Sequence, residues 1–240
     1  MAGRRRDAPR PGRDSTRPLE PAATASGFTV EGLRLMVGIV DYGMGNLLSV
    51  RNALESVGAE VTICGKPEDL GKADRIVLPG VGAFRDCMVN LREKGFIEAL
   101  EEGVLRLGKP ILGICLGMQA MAQKSFEGGQ YTGLGWLDAE VIRLQPNDPN
   151  LRVPHVGWNE ADYRSGSPLF SGLPALPEFY FVHSYFMKCS DAEEVEATCD
   201  YGGAVTAAVR KGNIFATQFH PEKSQDYGLR FLENFMKWKP

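Results

Sequence analysis

Short apolar runs alternate along this chain with segments whose apolar residues recur at helical spacing. Residues 36–40 predict a buried strand, and residues 47–54, with apolar positions three and four apart, predict a helix. Further strands are predicted at residues 61–63 and 75–78. Strands that alternate with helices in this way are typical of an α/β domain built on a parallel sheet.

The same alternation continues to the C-terminus, with one irregular stretch. Residues 133–185 are richer in Gly, Pro and short apolar runs, which predicts antiparallel strands and loops added to the parallel core. The remaining predicted elements are helices at 84–94, 97–107, 227–238 and the first turns of one at 118–123, a strand at 110–114, and a hairpin formed by 204–209 and 213–219.

The N-terminal segment differs in composition from the rest of the chain. Residues 1–27 are rich in Arg, Pro and Ala and hold almost no large apolar side chain, so they cannot bury enough surface to offset their ordering entropy. We expect a disordered extension over 1–35 and one domain over 36–240. The segment lacks a secretory h-region, and its Asp7, Asp14 and Glu20 argue against a transit peptide. We prefer an extended or misassigned start before Met36; a weak nucleic-acid or partner tail is the alternative.

Composition and charge limit the function classes. A chain of 240 residues with 43% hydrophobic content can bury one large core. No apolar run approaches the ~18 residues that span a bilayer, so a soluble protein is expected. Residues 1–35 hold seven Arg and four acidic residues, leaving 20 basic and 26 acidic residues from Met36 onward. This mildly acidic body gives no reason to expect nucleic-acid or membrane binding.

The five cysteines are odd in number and show no paired short spacing. This pattern predicts reduced thiols in a cytoplasmic setting and argues against disulfides and a zinc site. The sequence predicts no metal and no cofactor.

Cys115 is the first candidate for chemistry. It follows the predicted strand 110–114 and precedes a predicted helix, so it lies at a sharp strand-to-helix turn between Gly113 and Gly117. Such a turn projects a nucleophile clear of the backbone, and unpaired N–H groups at a helix start favour a thiolate. A lone cysteine on an apolar strand is more often inert core. The interpretation of Cys115 as a nucleophile therefore depends on a base elsewhere in the chain.

His220 and Glu222 supply that partner. His220 follows the predicted strand 213–219, whose end is expected at the same edge of the sheet as Cys115. An imidazole can take the thiol proton and later give it to a leaving group, and a carboxylate two residues on can orient the ring. His183 is the competing base, but no carboxylate follows it at orienting distance.

These segments closely resemble those of the class I (triad-type) glutamine amidotransferases. The resemblance implies that Cys115 attacks the glutamine side-chain amide and forms a glutamyl thioester, with His220 as general base and acid and Glu222 as the orienting carboxylate. It implies an α/β, flavodoxin-like fold: a mainly parallel sheet with helices on both faces plus added antiparallel strands.

Further motifs narrow the resemblance. Residues 37–47, 78–84, Pro-His-Val-Gly-Trp-Asn at 154–159 and Val-His-Ser-Tyr at 182–185 are similar to the glutaminase subunits of imidazole glycerol phosphate synthase, an enzyme of histidine biosynthesis. In that family ammonia passes to a cyclase subunit with a (β/α)8 barrel, which makes imidazole glycerol phosphate and AICAR. The resemblance thus implies a heterodimer with a cyclase subunit and L-glutamine as substrate.

The resemblance also assigns supporting roles around the nucleophile. One oxyanion donor is expected from the N–H of Leu116, and a second from the glycine-bearing strand at Val81 and Gly82 after a peptide flip; a plain loop is the alternative there. Gln119 lies one helical turn from Cys115 and can offer its amide to the substrate backbone; a solvated helix residue is the alternative. The remaining glutamine-binding residues implied by the family are Ser184, Tyr185 and Glu127.

A partner surface is the last feature implied by the resemblance. It places Asn46, Pro154, Trp158, Tyr180 and Lys223 on the face that meets the cyclase barrel. The alternative for Trp158 is that its indole caps the hydrophobic core. Two other functions remain open: a class I amidotransferase serving pyridoxal phosphate, anthranilate or guanylate synthesis, and a non-enzymatic scaffold on the same fold.

Overall fold

The computed structural model describes residues 29–30 and 33–240 as a mixed α/β structure. Its strands are, in chain order, β1 (Thr29–Val30), β2 (Leu33–Arg34), β3 (Met36–Val40), β4 (Glu60–Cys64), β5 (Arg75–Gly80), β6 (Ile111–Cys115), β7 (Ala122–Ser125), β8 (Tyr131–Thr132), β9 (Leu137–Arg143), β10 (His155–Glu160), β11 (Asp162–Tyr163), β12 (Glu178–His183), β13 (Tyr185–Cys189), β14 (Val195–Asp200), β15 (Ala204–Lys211) and β16 (Ile214–Thr217).

The helices follow the strands of the core. They are α1 (Leu47–Ser56), α2 (Phe84–Glu93), α3 (Phe96–Leu100), α4 (Leu116–Ala120) and α5 (Gln225–Lys237). The π-helical segment Glu101–Arg106 extends α3, and 3₁₀ turns cover Pro67–Lys72, Ala192–Glu194 and Pro221–Lys223.

An eight-stranded sheet forms the centre of the fold. Its order is β11-β14-β15-β16-β6-β5-β3-β4. The five strands from β16 to β4 run parallel, whereas β15, β14 and β11 are added antiparallel at one edge. Because β16 and β6 are parallel neighbours, the residues that follow them meet at the same edge of the sheet, where ligands bind in open α/β sheets.

Successive residues of the parallel strands pack on opposite faces of this sheet. In β3, for example, Ile39 belongs to the core beneath α1 and α5, and Val40 to the core beneath α2, α3 and α4. Both cores consist mainly of fully buried aliphatic and aromatic side chains. Strands buried on both faces explain the continuous apolar runs in the sequence.

Two smaller sheets complete the part that positions the site. One has the order β13-β9-β7-β8, and the other is the two-stranded antiparallel ribbon β10–β12. This ribbon pairs His155 with His183 and Trp158 with Tyr180. Side chains alternate across it, so Phe179, Phe181 and His183 are buried while Trp158 and Tyr180 lie on the outer face.

The predicted fold class is confirmed, with two differences in detail. The helix predicted at 118–123 ends at Ala120, and Ala122 begins β7, which pairs with β9. A short apolar run does not distinguish helix from strand by its period, and pairing with β9 decides between them here. Strand β14 was not predicted, because the buried Glu196 interrupts its apolar pattern.

The predicted N-terminal extension falls largely outside the described residues, and it stays a prediction. Among the residues that the structure does describe, no helix is long and apolar enough to cross a membrane.

Candidate active site

Cys115 ends β6 and directly precedes α4, as predicted for a nucleophile turn. Its backbone has φ 53° and ψ −107°, a conformation rarely adopted by residues other than glycine and typical of strain held at functional sites. A Cβ atom at Gly117 would lie 1.8 Å from the Leu78 carbonyl oxygen. The turn therefore packs directly against the backbone of β5, and only glycine fits at position 117.

His220 and Glu222 follow β16 and form a buried pair. Nδ1 of His220 lies 2.7 Å from Oε1 of Glu222, and both side chains are only 2% exposed. Burial lowers the pKa of His220, but the adjacent Cys115 sulfur and the Glu222 carboxylate outweigh it and raise the pKa to about 9. Nε2 of His220 has no hydrogen-bond partner among the described residues. The ring is thus oriented by Glu222 at one nitrogen and available to Cys115 at the other.

The turn that carries this base is joined to the β10–β12 ribbon. The backbone N–H of His220 donates to the Tyr180 carbonyl at 2.9 Å. The Ser224 hydroxyl donates to the His220 carbonyl at 2.6 Å and accepts from the Tyr180 N–H at 3.0 Å. One direct hydrogen bond and a two-bond bridge through the Ser224 hydroxyl therefore join the base to the strand that carries Tyr180.

A cavity of about 410 Å³ opens beside the Cys115 side chain. It brings together the nucleophile with the residues predicted for the oxyanion, for glutamine and, in part, for the partner. Its lining consists of Val81, Gly82, Cys115, Leu116, Gln119, Glu127, Pro154, Val182, His183, Ser184, Tyr185 and Lys223. The volume suits an amino acid, and His220 and Glu222 lie behind the cavity rather than in its wall.

Gln119 lines the cavity but is not a solvated helix residue, because it is only 5% exposed. Its amide nitrogen donates to the Tyr185 carbonyl and to Oε1 of Gln218, each at 2.9 Å. Both N–H groups are therefore committed, which leaves the side-chain oxygen of Gln119 for a donor such as a substrate ammonium.

Glu127 borders the cavity and also contacts the loop before α2. Its Oε2 accepts a hydrogen bond from the Phe84 N–H at 2.8 Å, at the start of that helix. The preceding residues Val81 and Gly82 form the loop predicted to supply an oxyanion donor, and Gly82 has φ 107°. The carboxylate thus ties this loop to the wall of the cavity while keeping its second oxygen for a ligand.

His183, the competing base, is held in a different arrangement. Its Nδ1 donates to the Tyr185 carbonyl at 2.9 Å, and its Nε2 faces Nδ1 of His155 at 3.1 Å. Burial lowers the pKa of His183 to about 4. No acidic side chain contacts this ring among the described residues, so it lacks the carboxylate that His220 has.

The outer face of the β10–β12 ribbon carries two of the residues predicted for the partner surface, Trp158 and Tyr180. The Trp158 side chain is 46% exposed and packs edge-on against Tyr180, with ring centroids 6.1 Å apart. Nζ of Lys223 lies 5.8 Å from the centre of the Tyr180 ring. Asn46 lies apart from this cluster and caps α1 by accepting from the Ser49 N–H. The indole does not cap the core, since nearly half of it faces solvent.

Two polar residues of the site were missed by reasoning from the sequence. Gln218 lies within the strand-end motif that contains His220, and its Nε2 lies 3.6 Å from the Cys115 sulfur. His155 lies in the motif that was examined only for Trp158. In both cases the available signal was a polar residue on the inward side of a strand, which is rarely tolerated without a partner.

Comparison with known proteins agrees with this site. The family model for glutamine amidotransferase class-I matches residues 38–238, so the chain belongs to that family. The imidazole glycerol phosphate synthase subunit HisH 1 of Campylobacter jejuni is 51% identical over 202 residues, covering 84% of this chain and 100% of that protein. The HisH subunit of Mesorhizobium japonicum is 44% identical, covering 86% and 100%. Within its family, the chain therefore groups with the HisH subunits of imidazole glycerol phosphate synthase.

Solved structures share the fold at lower identity. PurLQS from Thermotoga maritima has a TM-score of 0.67 at 19% identity and covers 85% of this chain and 99% of its own. A structure described as glutamine amidotransferase has a TM-score of 0.64 at 23% identity, covering 83% and 98%. These likenesses support the fold alone.

Proposed function

We propose that this chain is the glutaminase subunit of an imidazole glycerol phosphate synthase, with Cys115, His220 and Glu222 as its catalytic triad. The observation that carries the proposal is the buried ring of His220, oriented by Glu222 at 2.7 Å beside the strained Cys115 turn. The nucleophile of this triad borders a cavity of amino-acid size.

The proposed reaction has two stages. The Cys115 thiolate attacks the side-chain carbonyl carbon of glutamine, and the C–N bond breaks as His220 gives its proton to the departing ammonia. Water then gives a proton to His220 and attacks the thioester carbonyl, which releases glutamate and restores the thiol. The environment that raises the pKa of His220 to about 9 favours the protonated ring needed in the first stage.

The developing oxyanion needs donors beside Cys115. We assign one to the N–H of Leu116 and the second to Val81 or Gly82, both of which border the cavity. Gly82 already has a left-handed φ of 107°, a region in which glycine allows peptide rotation at little cost. A glutamine-bound complex in which no N–H of residues 80–82 reaches the substrate carbonyl oxygen would refute this assignment.

The glutamine backbone has polar groups that match the cavity wall. We assign its ammonium to the free oxygens of Glu127 and Gln119, and its carboxylate to the main chain near Ser184 and Tyr185. Glu127 keeps one oxygen beyond the one that accepts from Phe84, and both N–H groups of Gln119 are already used. The assignment thus follows from the hydrogen-bonding capacity that is left.

The ammonia is proposed to pass to a cyclase subunit that docks on the outer face of the β10–β12 ribbon. The exposed Trp158 and the Lys223–Tyr180 contact support this face, and Pro154 borders the adjacent cavity. Asn46 is included on the family resemblance alone. Free ammonia at neutral pH becomes unreactive ammonium, so transfer within a complex has a chemical reason. The names of the relatives favour this partner over those of pyridoxal phosphate, anthranilate or guanylate synthesis.

The test is glutamine hydrolysis by the full chain, alone and with the cyclase subunit of an imidazole glycerol phosphate synthase and its substrate analogue. We expect very low turnover alone and strong stimulation in the complex, abolished by Cys115→Ala. Stimulation by a synthase of another pathway in place of the cyclase would overturn the pathway assignment. If Cys115→Ala hydrolysed glutamine as fast as the unmodified chain, the assignment of Cys115 as nucleophile would be overturned.

A further inference from the structure

Gln218 is a fully buried polar residue between the base and the nucleophile. Its side chain is 0% exposed, and it lies two residues before His220 at the end of β16. Oε1 of Gln218 accepts from Gln119 at 2.9 Å, and Nε2 lies 3.6 Å from the Cys115 sulfur. A buried amide is destabilising unless its polar atoms are paired, so both contacts need an explanation.

The direction of this amide is determined by a backbone carbonyl. Side-chain amide oxygen and nitrogen are normally distinguished only by their hydrogen-bond partners. The Tyr185 carbonyl can only accept, so the Gln119 atom at 2.9 Å from it must be the nitrogen. That same nitrogen donates to Gln218, which must present its oxygen there. The amide nitrogen of Gln218 therefore faces the sulfur.

The Tyr185 carbonyl is itself fixed from the other side. Nδ1 of His183 donates to it at 2.9 Å, and His183 is buried and paired with His155. The carbonyl thus accepts from both His183 and Gln119, and this leaves it no freedom to rotate away. The orientation of Gln218 is set by rigid parts of β12 and β13, not by the solvent.

We propose that Gln218 is a further catalytic residue, whose side-chain N–H donates to the Cys115 sulfur and favours the thiolate over the thiol. A hydrogen bond donated to an ionised group stabilises that ionised form, because the acceptor gains more from the donor when it is charged. Gln119 and the Tyr185 carbonyl act as positioning groups, because they hold the Gln218 amide with its nitrogen toward sulfur.

This role differs from those of the triad. His220 exchanges a proton with Cys115, whereas the amide of Gln218 keeps its protons throughout and acts only through the charge on sulfur. Gln218 is absent from the wall of the cavity as the described residues form it. Its removal should therefore act mainly on kcat, with a smaller effect on KM for glutamine through the loss of the Oε1 acceptor of Gln119.

The inference rests on the proposed thiolate chemistry, but its test does not require glutamine turnover. Alkylation of Cys115 by iodoacetamide in the full chain is followed against pH, with the Cys115 peptide quantified by mass spectrometry to separate it from the other four thiols. Gln218→Met keeps the length of the side chain and removes both the donor to sulfur and the acceptor for Gln119. Gln123→Met makes the same change on the exposed side of β7 and serves as the matched control.

Gln218→Met is expected to slow alkylation near pH 7 by about tenfold and to move the midpoint of the profile upward by about one pH unit, as a hydrogen bond to a charged group implies. Gln123→Met should reproduce the unmodified profile. Identical profiles for Gln218→Met and the unmodified chain would overturn the proposal. Absence of turnover in the unmodified complex would instead refute the proposed function, so the two failures are distinguishable.

A second measurement covers the case in which Gln218→Met does not fold. In the unmodified, ¹⁵N-labelled chain, the side-chain amide resonances of Gln218 should shift with pH at the same midpoint as Cys115 alkylation, and this shift should disappear in Cys115→Ala. Amide resonances that do not respond at that midpoint would overturn the proposal.

Discussion

Nδ1 of His155 lies 3.1 Å from Nε2 of His183 across the β10–β12 ribbon, so each imidazole determines where the other carries its proton. Nδ1 of His183 must be protonated to donate to the Tyr185 carbonyl, which makes its Nε2 the acceptor for His155. His155 is in turn stacked between Phe181 and Tyr201, with centroid distances of 4.8 and 3.9 Å. The pair is buried, and its rings are neutral near pH 7 with their protons in defined positions.

This pair predicts a loss of stability in acid. Burial lowers the pKa of each imidazole from 6.5 to about 4, so the unfolded chain binds more protons than the folded chain between those values. Stability from the pair is complete above pH 6.5 and is lost as pH falls toward 4. In His155→Gln, which can still donate to His183, the slope of unfolding free energy against pH should fall by up to about 1.4 kcal/mol per pH unit in this window. Chemical denaturation at several pH values measures this slope, and an unchanged slope in His155→Gln would contradict the prediction.

A second prediction concerns Glu222. In Glu222→Gln the amide keeps the size of the side chain but removes the charge that helps to raise the pKa of His220. Glutamine hydrolysis in the cyclase complex is expected to fall by about 100-fold or more, mainly in kcat. Glu98→Gln, on the exposed side of α3, is the matched control and should retain full turnover. Near-normal kcat in Glu222→Gln would show that His220 needs no carboxylate.

A third prediction separates the two contacts of Glu127. Glu127→Gln keeps an oxygen for the Phe84 N–H and removes the charge proposed to bind the glutamine ammonium. KM for glutamine should rise by about tenfold or more while the melting temperature changes little. Glu127→Ala should add a loss of about 1 kcal/mol of stability, because the first N–H of α2 loses its partner. Steady-state kinetics measure the effect on KM, and thermal unfolding measures the effect on stability. An unchanged KM in Glu127→Gln would show that Glu127 does not bind the glutamine ammonium.

A fourth prediction concerns Trp158. Its exposed indole is proposed as an anchor for the cyclase, and such anchors commonly contribute about 2 kcal/mol or more. Trp158→Ala should therefore weaken cyclase binding by about 30-fold and lower the yield of cyclase product per glutamate released. Leu107→Ala removes a similarly exposed apolar side chain just before β6, at the opposite end of the strand from Cys115, and should leave both quantities unchanged. The prediction is contradicted if the isolated Trp158→Ala subunit unfolds while its folded fraction binds the cyclase normally. Trp158 would then stabilise the fold and not the interface.

The fold could be predicted from the sequence wherever local pattern and tertiary environment agree. The strands before Cys115 and before His220 are continuous apolar runs, because they are buried on both faces. Their parallel order brings these two residues to one edge of the sheet. Strand β14 was not predictable, because the charge of Glu196 is buried against Arg210 and this pairing is invisible in the local pattern.

The candidate site could also be predicted only where the local sequence determines the structure. Cys115 lies in a local strand-to-helix turn, which the sequence indicates by its spacing. The contacts of Gln218 and His155 depend instead on the register of distant strands, with 103 residues separating Gln218 from Cys115 and 28 separating the two histidines. The local sequence around either residue does not indicate which distant residue it will contact in the folded chain.

Gly117 has no side chain, and the lack of space for one limits how this enzyme could be redesigned. Because the Leu78 carbonyl occupies that space, any side chain at position 117 would push the Cys115 turn away from β5. An engineer who wished to admit a different amide would leave the nucleophile where it is. The side chain of Glu127 is the part of the wall that can be rebuilt, since it rests on a hydrogen bond to the Phe84 N–H instead of on strand packing.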